Sequence, residues 1–275
     1  MRSILLLAFL PLSLVAAAPF GVVKPVIAQS DGGEAVPADF PHTAGETMFF
    51  MCHIAGFTKT PDEQINLTYT VQAFDPKGVA VAEAYKGEAK EEVGPQDKDW
   101  LPQVETQIVL PDILLPGTYK IVIKAQDLLA KTSTEMSVPF HVVGHDVPAS
   151  PTLTVKNFRW YHTEDDEKPL SSPVYHAGDP MYMKFDMTGF KYGANNKVDV
   201  TFQSALTNTE GKVFFSQPQP AGEPSDGFYP KPYLSAEFGI SLGKDFKPGT
   251  YVMSITLKDN VGKQTYPGKF EFTVQ

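Results

Sequence analysis

Two hairpin segments with the same pattern constrain the fold of this chain more than any other feature. Residues 116–142 and 248–274 both open with Pro-Gly-Thr-Tyr, and in both the apolar residues alternate with polar ones. In each segment the alternation is broken only by a short turn that follows an aspartate, Asp127 or Asp259. Period-two alternation around a turn is typical of a half-buried β-hairpin. Its recurrence predicts one fold used twice.

A second pair of matching strands indicates which residues face the core. In the second half an apolar residue occupies every other position, and the intervening residues are polar. That alternation makes the apolar face the buried one. The inward positions are Met181, Met183, Phe185 and Met187 in the second half, and Met48, Phe50, Cys52 and Ile54 in the first. The single cysteine is therefore expected to be a buried, reduced core residue.

These patterns predict an all-β protein made of two tandem antiparallel sandwiches with about seven short strands each. No long stretch has helical periodicity, and the 24 prolines and 21 glycines favour many turns. The first sandwich is expected over 18–143 and the second over 152–275. Residues 144–151 form a short, proline-stiffened linker that should limit the relative orientations of the halves.

Local turn chemistry adds detail to this plan. Asp75-Pro76-Lys77-Gly78 and its counterpart at 208–211 have the preferences of a type I turn. The hairpin aspartates, Asp127 and Asp259, are expected to fix their turns by accepting backbone N–H groups, with Ala130 or Gly262 adopting a positive φ. A change of phase in the first strand of the second half predicts a bulge around Lys156-Asn157.

The amino terminus has the features of an export signal. Arg2 precedes an apolar run from Ile4 to Val15, which is too short to span a bilayer comfortably. The signal peptide is expected to be residues 1–17, although a second possible cleavage site follows Ala28. The mature protein is then expected in the periplasm or outside the cell, with no membrane insertion.

The Leu-Pro-Gly-Thr-Tyr entry into the penultimate strand resembles that of immunoglobulin-like and fibronectin-III-like sandwiches. Secreted bacterial proteins built from tandem copies of such domains, of unassigned function, are similar to the chain over nearly all its mature length. The resemblance implies that Tyr119 and Tyr251 act as corner tyrosines. It implies no functional residues.

The chain carries none of the common sequence motifs that indicate catalysis, phosphate binding or metal binding. His141 and His145 are four residues apart on a strand, about 13 Å, and are interpreted as a solvent-facing pair. His53 aligns with Asp186 on a face that is expected to point outward. A net charge of −9 opposes binding to nucleic acid. We expect no catalytic residue, no metal and no cofactor.

The two halves differ most between the third strand and the closing hairpin. Prolines and aromatic residues are concentrated there, and the candidate partner-binding residues are Trp100, Phe228, Tyr229 and Tyr233. The alternative is that these rings cover a sheet edge or the domain interface.

The sequence therefore favours an exported, non-catalytic binding or scaffold protein of the bacterial envelope that contacts an unknown protein or glycan. Two alternatives stay open: an inhibitor or accessory subunit of a secreted enzyme, and a periplasmic chaperone-like protein with two domains.

Overall fold

A computed structural model describes residues 19–97 and 99–275. The prediction of an all-β protein is confirmed, since the regular elements of this part are strands and two 3₁₀ turns, Pro95–Asp97 and Ala194–Asn196. Within the same ranges no helix is long and apolar enough to cross a membrane. The predicted signal peptide, residues 1–17, lies outside the described residues.

Within residues 19–97 and 99–275 each half contributes eight strands, one more than expected, because a short strand pairs in parallel with each closing strand. The strands of the first half are β1 (Gly21–Ala28), β2 (Pro41–Thr43), β3 (Thr47–Ala55), β4 (Leu67–Phe74), β5 (Tyr85–Ala89), β6 (Gln103–Val109), β7 (Gly117–Asp127) and β8 (Thr132–Val143). Those of the second half are β9 (Thr154–Tyr161), β10 (Val174–Tyr175), β11 (Pro180–Thr188), β12 (Val200–Asn208), β13 (Val213–Ser216), β14 (Leu234–Ser241), β15 (Gly249–Asp259) and β16 (Gln264–Val274).

The two halves have the same strand order. In the first half, β1, β3 and β6 form one sheet, and β2, β8, β7, β4 and β5 lie in that order in the other. In the second half the corresponding sheets are β9-β11-β14 and β10-β16-β15-β12-β13. Apart from the short parallel pairs, all neighbours in these sheets are antiparallel. The order resembles that of immunoglobulin-like sandwiches.

Each half has its own hydrophobic core between its two sheets. The inward residues predicted for β3 and β11 are confirmed. Phe50 and Cys52 of β3 are fully buried, as are their neighbours on the same face. Met183 and Phe185 of β11 are also buried. Alternating side chains of each strand therefore supply the core, as the period-two pattern requires.

Cys52 provides a direct test of this strand phase. Burial raises the pKa of its thiol to about 12, and the thiolate is the reactive form. We expect slow labelling of native protein by a thiol reagent and fast labelling in denaturant. The side chain of Ser133 is exposed in β8, so a Ser133→Cys variant is the matched control and should label fast while folded. Equally fast native labelling of Cys52 would contradict the inward assignment.

The corner tyrosines implied by the resemblance are present in both halves. The Tyr119 hydroxyl donates to the Leu115 carbonyl at 2.8 Å, and that of Tyr251 donates to the Lys247 carbonyl at 2.9 Å. Both rings are buried. Each hydroxyl thus ties the start of its strand to the loop that enters it.

The hairpin aspartates hold their turns as predicted. Asp127 Oδ1 accepts N–H groups from Leu129 and Ala130, and Oδ2 accepts the N–H of Thr58 from a distant loop. Asp259 has the same arrangement in the second half. The prediction of a positive φ at Ala130 or Gly262 is wrong.

In each hairpin turn the residue with a left-handed backbone is instead the lysine one position later. It is Lys131 (φ 57°) in the first half and Lys263 (φ 54°) in the second. A type I turn completed by one left-handed residue closes a four-residue hairpin loop, and that residue lies immediately before the next strand.

Both first strands contain a bulge. The register of β9 against β11 shifts beside Asn157, whose φ is 49°, as the sequence predicted. The register of β1 against β3 shifts between Val23 and Val26, beside Lys24 with φ 51°. Because β1 pairs with β3 as far as Ala28, signal cleavage after Ala28 would remove this strand from its sheet.

Candidate functional site

The four aromatic residues singled out in the sequence do not form one surface. Trp100 and Phe228 are 38% and 51% exposed. Tyr233 is only 5% exposed, and Tyr229 packs against the core of the first half although it belongs to the second. Tyr229 therefore covers the junction between the halves, which is the alternative that the sequence left open, whereas the ring of Tyr233 packs edge-on against His145 of the linker.

Tyr229 connects the two halves through a hydrogen bond. Its hydroxyl donates to Oδ2 of Asp75 at 3.1 Å. Asp75 Oδ1 meanwhile accepts the N–H groups of Lys77 and Val79, which confirms the predicted turn. Burial raises the pKa of Tyr229, and the neighbouring Tyr119 and Asp75 raise it further. The hydroxyl therefore remains a proton donor at neutral pH.

The linker docks on the second half through Asp186, which corrects two interpretations of the sequence. His145 Nε2 donates to Asp186 Oδ2 at 2.7 Å, whereas His141 contacts the Thr118 hydroxyl. His145 is 45% exposed, as a solvent-facing residue should be, but it is also hydrogen-bonded to a buried carboxylate. Asp186 is 3% exposed even though it lies on the outer face of β11, because other segments of the chain cover it.

Three side chains satisfy the Asp186 carboxylate. Asn157 Nδ2 donates to Oδ2 at 2.8 Å, next to the bond from His145, and the Ser235 hydroxyl donates to Oδ1 at 2.8 Å. The β9 bulge directs Asn157 toward this carboxylate, as bulges often do near functional sites. Asn157 Nδ2 also donates to the Asp146 carbonyl of the linker. Asp186 thus joins β9, β11, β14 and the linker.

A groove of about 650 Å³ runs from this cluster across the outer face of β9, β11 and β14. We call it the polar groove; its side chains are those of His145, Asn157, Arg159, Tyr161, Lys184, Asp186, Tyr233, Ser235 and Glu237. Every one of them can form hydrogen bonds. Its volume is in the range of small-ligand sites.

The floor of the polar groove consists of side chains that lie opposite one another on neighbouring strands and so form rows across the sheet. Lys184 lies opposite Arg159 on one side and opposite Glu237 on the other. In the next row Tyr182 lies between Tyr161 and Gly239. A Cβ at Gly239 would lie 2.9 Å from the Tyr182 ring, so glycine gives that ring room to lie across the strand.

Lys184 is held by several neighbours. Its ammonium lies 5.3 Å from the centre of the Tyr161 ring and 5.6 Å from that of Tyr182, which are cation–π distances. It also lies 3.7 Å from Glu237 Oε2. Burial raises the pKa of Tyr182 to about 12, with a further contribution from the Glu237 carboxylate. These contacts keep the positive charge of Lys184 on the floor of the groove.

Arg159 differs from Lys184 because it has no such partner. Among residues 19–97 and 99–275, no carboxylate forms an ion pair with its exposed guanidinium. Like charges at directly opposite positions destabilise a sheet, and here Arg159 faces Lys184. The guanidinium is thus an uncompensated bidentate donor in a protein whose net charge is −9.

The Ser235, His145 and Asp186 side chains do not form a nucleophilic triad. In a triad the serine hydroxyl donates to the histidine, which is oriented by the aspartate. Here both Ser235 and His145 donate to Asp186. The carboxylate therefore holds both side chains in place.

Comparison with known proteins assigns no family. No family model matches the chain, and no curated protein matches it. A solved structure of a family 123 glycoside hydrolase from Clostridium perfringens is 20% identical, at a TM-score of 0.30, over 45% of this chain and 27% of that enzyme. The chain thus spans about a quarter of that enzyme's length.

Two further solved structures match over most of the chain. The C-terminal domain of the Streptococcus pyogenes antigen I/II-family protein AspA is 10% identical over 92% of this chain and 99% of its own, with a TM-score of 0.34. The corresponding domain of the Streptococcus agalactiae polypeptide BspA is 11% identical over 94% and 100%, with a TM-score of 0.33. At these scores the matches transfer neither a residue role nor a function.

The sequence did not point to Arg159, Lys184 or Glu237. One available signal was composition, since Arg159 is the only arginine apart from Arg2. A second was the β9 bulge, which was predicted but not connected with a site.

Proposed function

We propose that this chain is an exported, non-catalytic binding protein whose ligand occupies the polar groove. The observation that carries the proposal is the uncompensated Arg159 guanidinium beside Lys184, at the floor of a groove of ligand size. A bound ligand that supplies an acceptor between these cations would relieve their repulsion. The N-terminal apolar segment supports export.

The arrangement of Asp186 supports binding without catalysis. Its oxygens accept three hydrogen bonds from protein side chains, so it has little capacity left to act as a base or nucleophile toward a ligand. Its role is to keep His145, Asn157 and Ser235 in place before a ligand arrives. Such preorganisation lowers the entropy lost on binding.

The groove is a better candidate than the aromatic loops. Tyr229 packs at the junction, Tyr233 lines the groove itself, and neither Trp100 nor Phe228 does. The cleft between the halves offers one basic side chain, Lys77, among its lining residues. That gives little support to the chaperone-like alternative, whose cleft would carry a basic pair.

Amide NMR spectra of the mature chain test the proposal. The probes are a set of soluble neutral oligosaccharides, acidic oligosaccharides and short peptides. We expect at least one class to shift amides of β9, β11 and β14 around Arg159, Lys184 and Glu237, while mass spectrometry finds the probe unchanged. Shifts confined to the loops of Trp100 and Phe228, no shifts at all, or conversion of a probe would overturn the proposal.

A further inference from the structure

The charges on the floor of the polar groove suggest what kind of ligand it takes. Positive Arg159 and Lys184 adjoin negative Glu237 in one row across three strands. Neighbouring strands are about 4.8 Å apart, so Arg159 and Glu237 originate about 10 Å apart. The ligand therefore meets a donor for an anionic group at one end and an acceptor at the other.

A ligand with dense negative charge suits this row poorly. Glu237 is 51% exposed in its side chain and would repel such a ligand. A ligand with one carboxylate and several hydroxyl groups suits it better. The Arg159 guanidinium can donate two parallel hydrogen bonds to the ligand's carboxylate, and one of the ligand's hydroxyl groups can donate to Glu237.

The chemistry of the walls also disfavours a peptide. Peptide recognition relies on apolar or aromatic anchors that fill pockets, and the side chains of the polar groove include no aliphatic residue. Phe185 and Ala236 line it only from strand positions whose side chains face the core. Serine, asparagine, histidine and tyrosine side chains offer instead the mixed donors and acceptors that match sugar hydroxyls.

From these observations we infer that the polar groove binds an acidic oligosaccharide, with the Arg159 guanidinium taking a uronate carboxylate and Glu237 accepting hydroxyl groups. The inference rests on the proposed function, because it specifies the ligand of the same groove. It makes Arg159 the residue that selects acidic over neutral sugars.

Isothermal titration of the mature chain with uronic acid trisaccharides (galacturonate, glucuronate and mannuronate) tests the inference. We expect at least one to bind and its carboxyl-reduced, neutral form to bind at least about 10-fold more weakly, the value of one charge-assisted contact. Arg159→Gln should weaken binding of the acidic form by a similar factor and leave the neutral form unchanged. Arg159→Lys should lose less affinity than Arg159→Gln but still bind more weakly than the wild type, because lysine keeps the charge and lacks the planar pair of N–H donors.

Lys258→Gln is the matched control, since Lys258 is exposed on β15 in the other sheet of the same half. It should change neither the affinity nor the melting temperature, and Arg159→Gln should not lower the melting temperature, because it removes the repulsion from Lys184. Failure of all three uronates to bind, or equal binding of the neutral form, would overturn the inference.

The two proposals can fail separately. If a neutral sugar or a tri-glutamate peptide shifts the amides of β9, β11 and β14 and the uronates do not, the choice of ligand is wrong and the groove remains the binding site. If no probe shifts those amides, the proposed function fails as well.

Discussion

Replacing Phe50 by alanine is expected to lower the free energy of unfolding of the first half by about 3–5 kcal/mol. Phe50 is fully buried in β3 and belongs to the same core cluster as Ile121 and Phe140. The substitution removes the ring's transfer free energy and leaves a cavity between two sheets that cannot close around it.

Urea denaturation followed by circular dichroism measures this change, and Phe49→Ala is its matched control. Phe49 is the preceding residue of β3 and is half-buried on the outer face, so its truncation should cost clearly less. Similar losses for the two variants would contradict the assignment of inner and outer faces. A loss below about 1 kcal/mol for Phe50 would show that the site collapses around the missing ring.

Replacing Asp127 by alanine is expected to have an effect of similar size, a loss of about 3–5 kcal/mol. Asp127 is fully buried, and its carboxylate accepts backbone N–H groups from Thr58, Leu129 and Ala130. Each hydrogen bond to a charged group contributes about 1.5–3 kcal/mol, and these contributions are not fully additive. Three backbone N–H groups would lose their partner at once.

The same residue should give the first half part of its acid sensitivity. Burial alone would raise the pKa of Asp127, but the hydrogen bonds from Thr58, Ala130 and Leu129 outweigh it and the pKa lies below its ordinary value. A lowered pKa in the folded state stabilises the protein above the unfolded value of about 3.9. This contribution is lost as the pH falls through the lower folded value.

Urea denaturation of the wild type and of Asp127→Ala between neutral pH and pH 3 tests both effects. The variant should be less stable at pH 7, and the difference should shrink below about pH 4. Asp62→Ala is the control, because Asp62 is exposed in a loop, and it should follow the wild type. A difference that stays constant with pH would show that the charge of Asp127 contributes nothing.

Much of the fold could be predicted because it depends on neighbours in sequence. Side chains two apart along a strand share a face, so the pattern around Phe50 and Phe185 was enough to place both in the core. Turns were equally local: Asp75 and Asp127 accept N–H groups from residues two to four positions later. The positive φ at Lys131 was missed because the prediction placed the left-handed residue where the second half has a glycine. Glycine favours a positive φ, but other residues can adopt one too.

The halves also differ in the first residue of one turn, because in the first half this residue has a hydrogen-bond partner outside the turn. Asp75 and Asn208 hold equivalent turns, and either side chain can accept the turn N–H groups. Asp75 additionally accepts the Tyr229 hydroxyl through its other oxygen. The repeat alignment shows the substitution, but the reason for it lies in a residue far along the chain.

By itself, the sequence determined that the chain is all-β, which strand faces form the two cores and where the hairpins turn, since these follow from period-two alternation and local backbone hydrogen bonds. Tertiary structure alone decided that Asp186 is buried, that His145 and Ser235 reach it, and that Tyr229 packs on the first half. The physical reason is that an outward position on a strand has no inherent burial. It becomes buried or exposed only when another segment packs on it, and here the linker and β14 cover Asp186 while leaving Arg159 open to solvent.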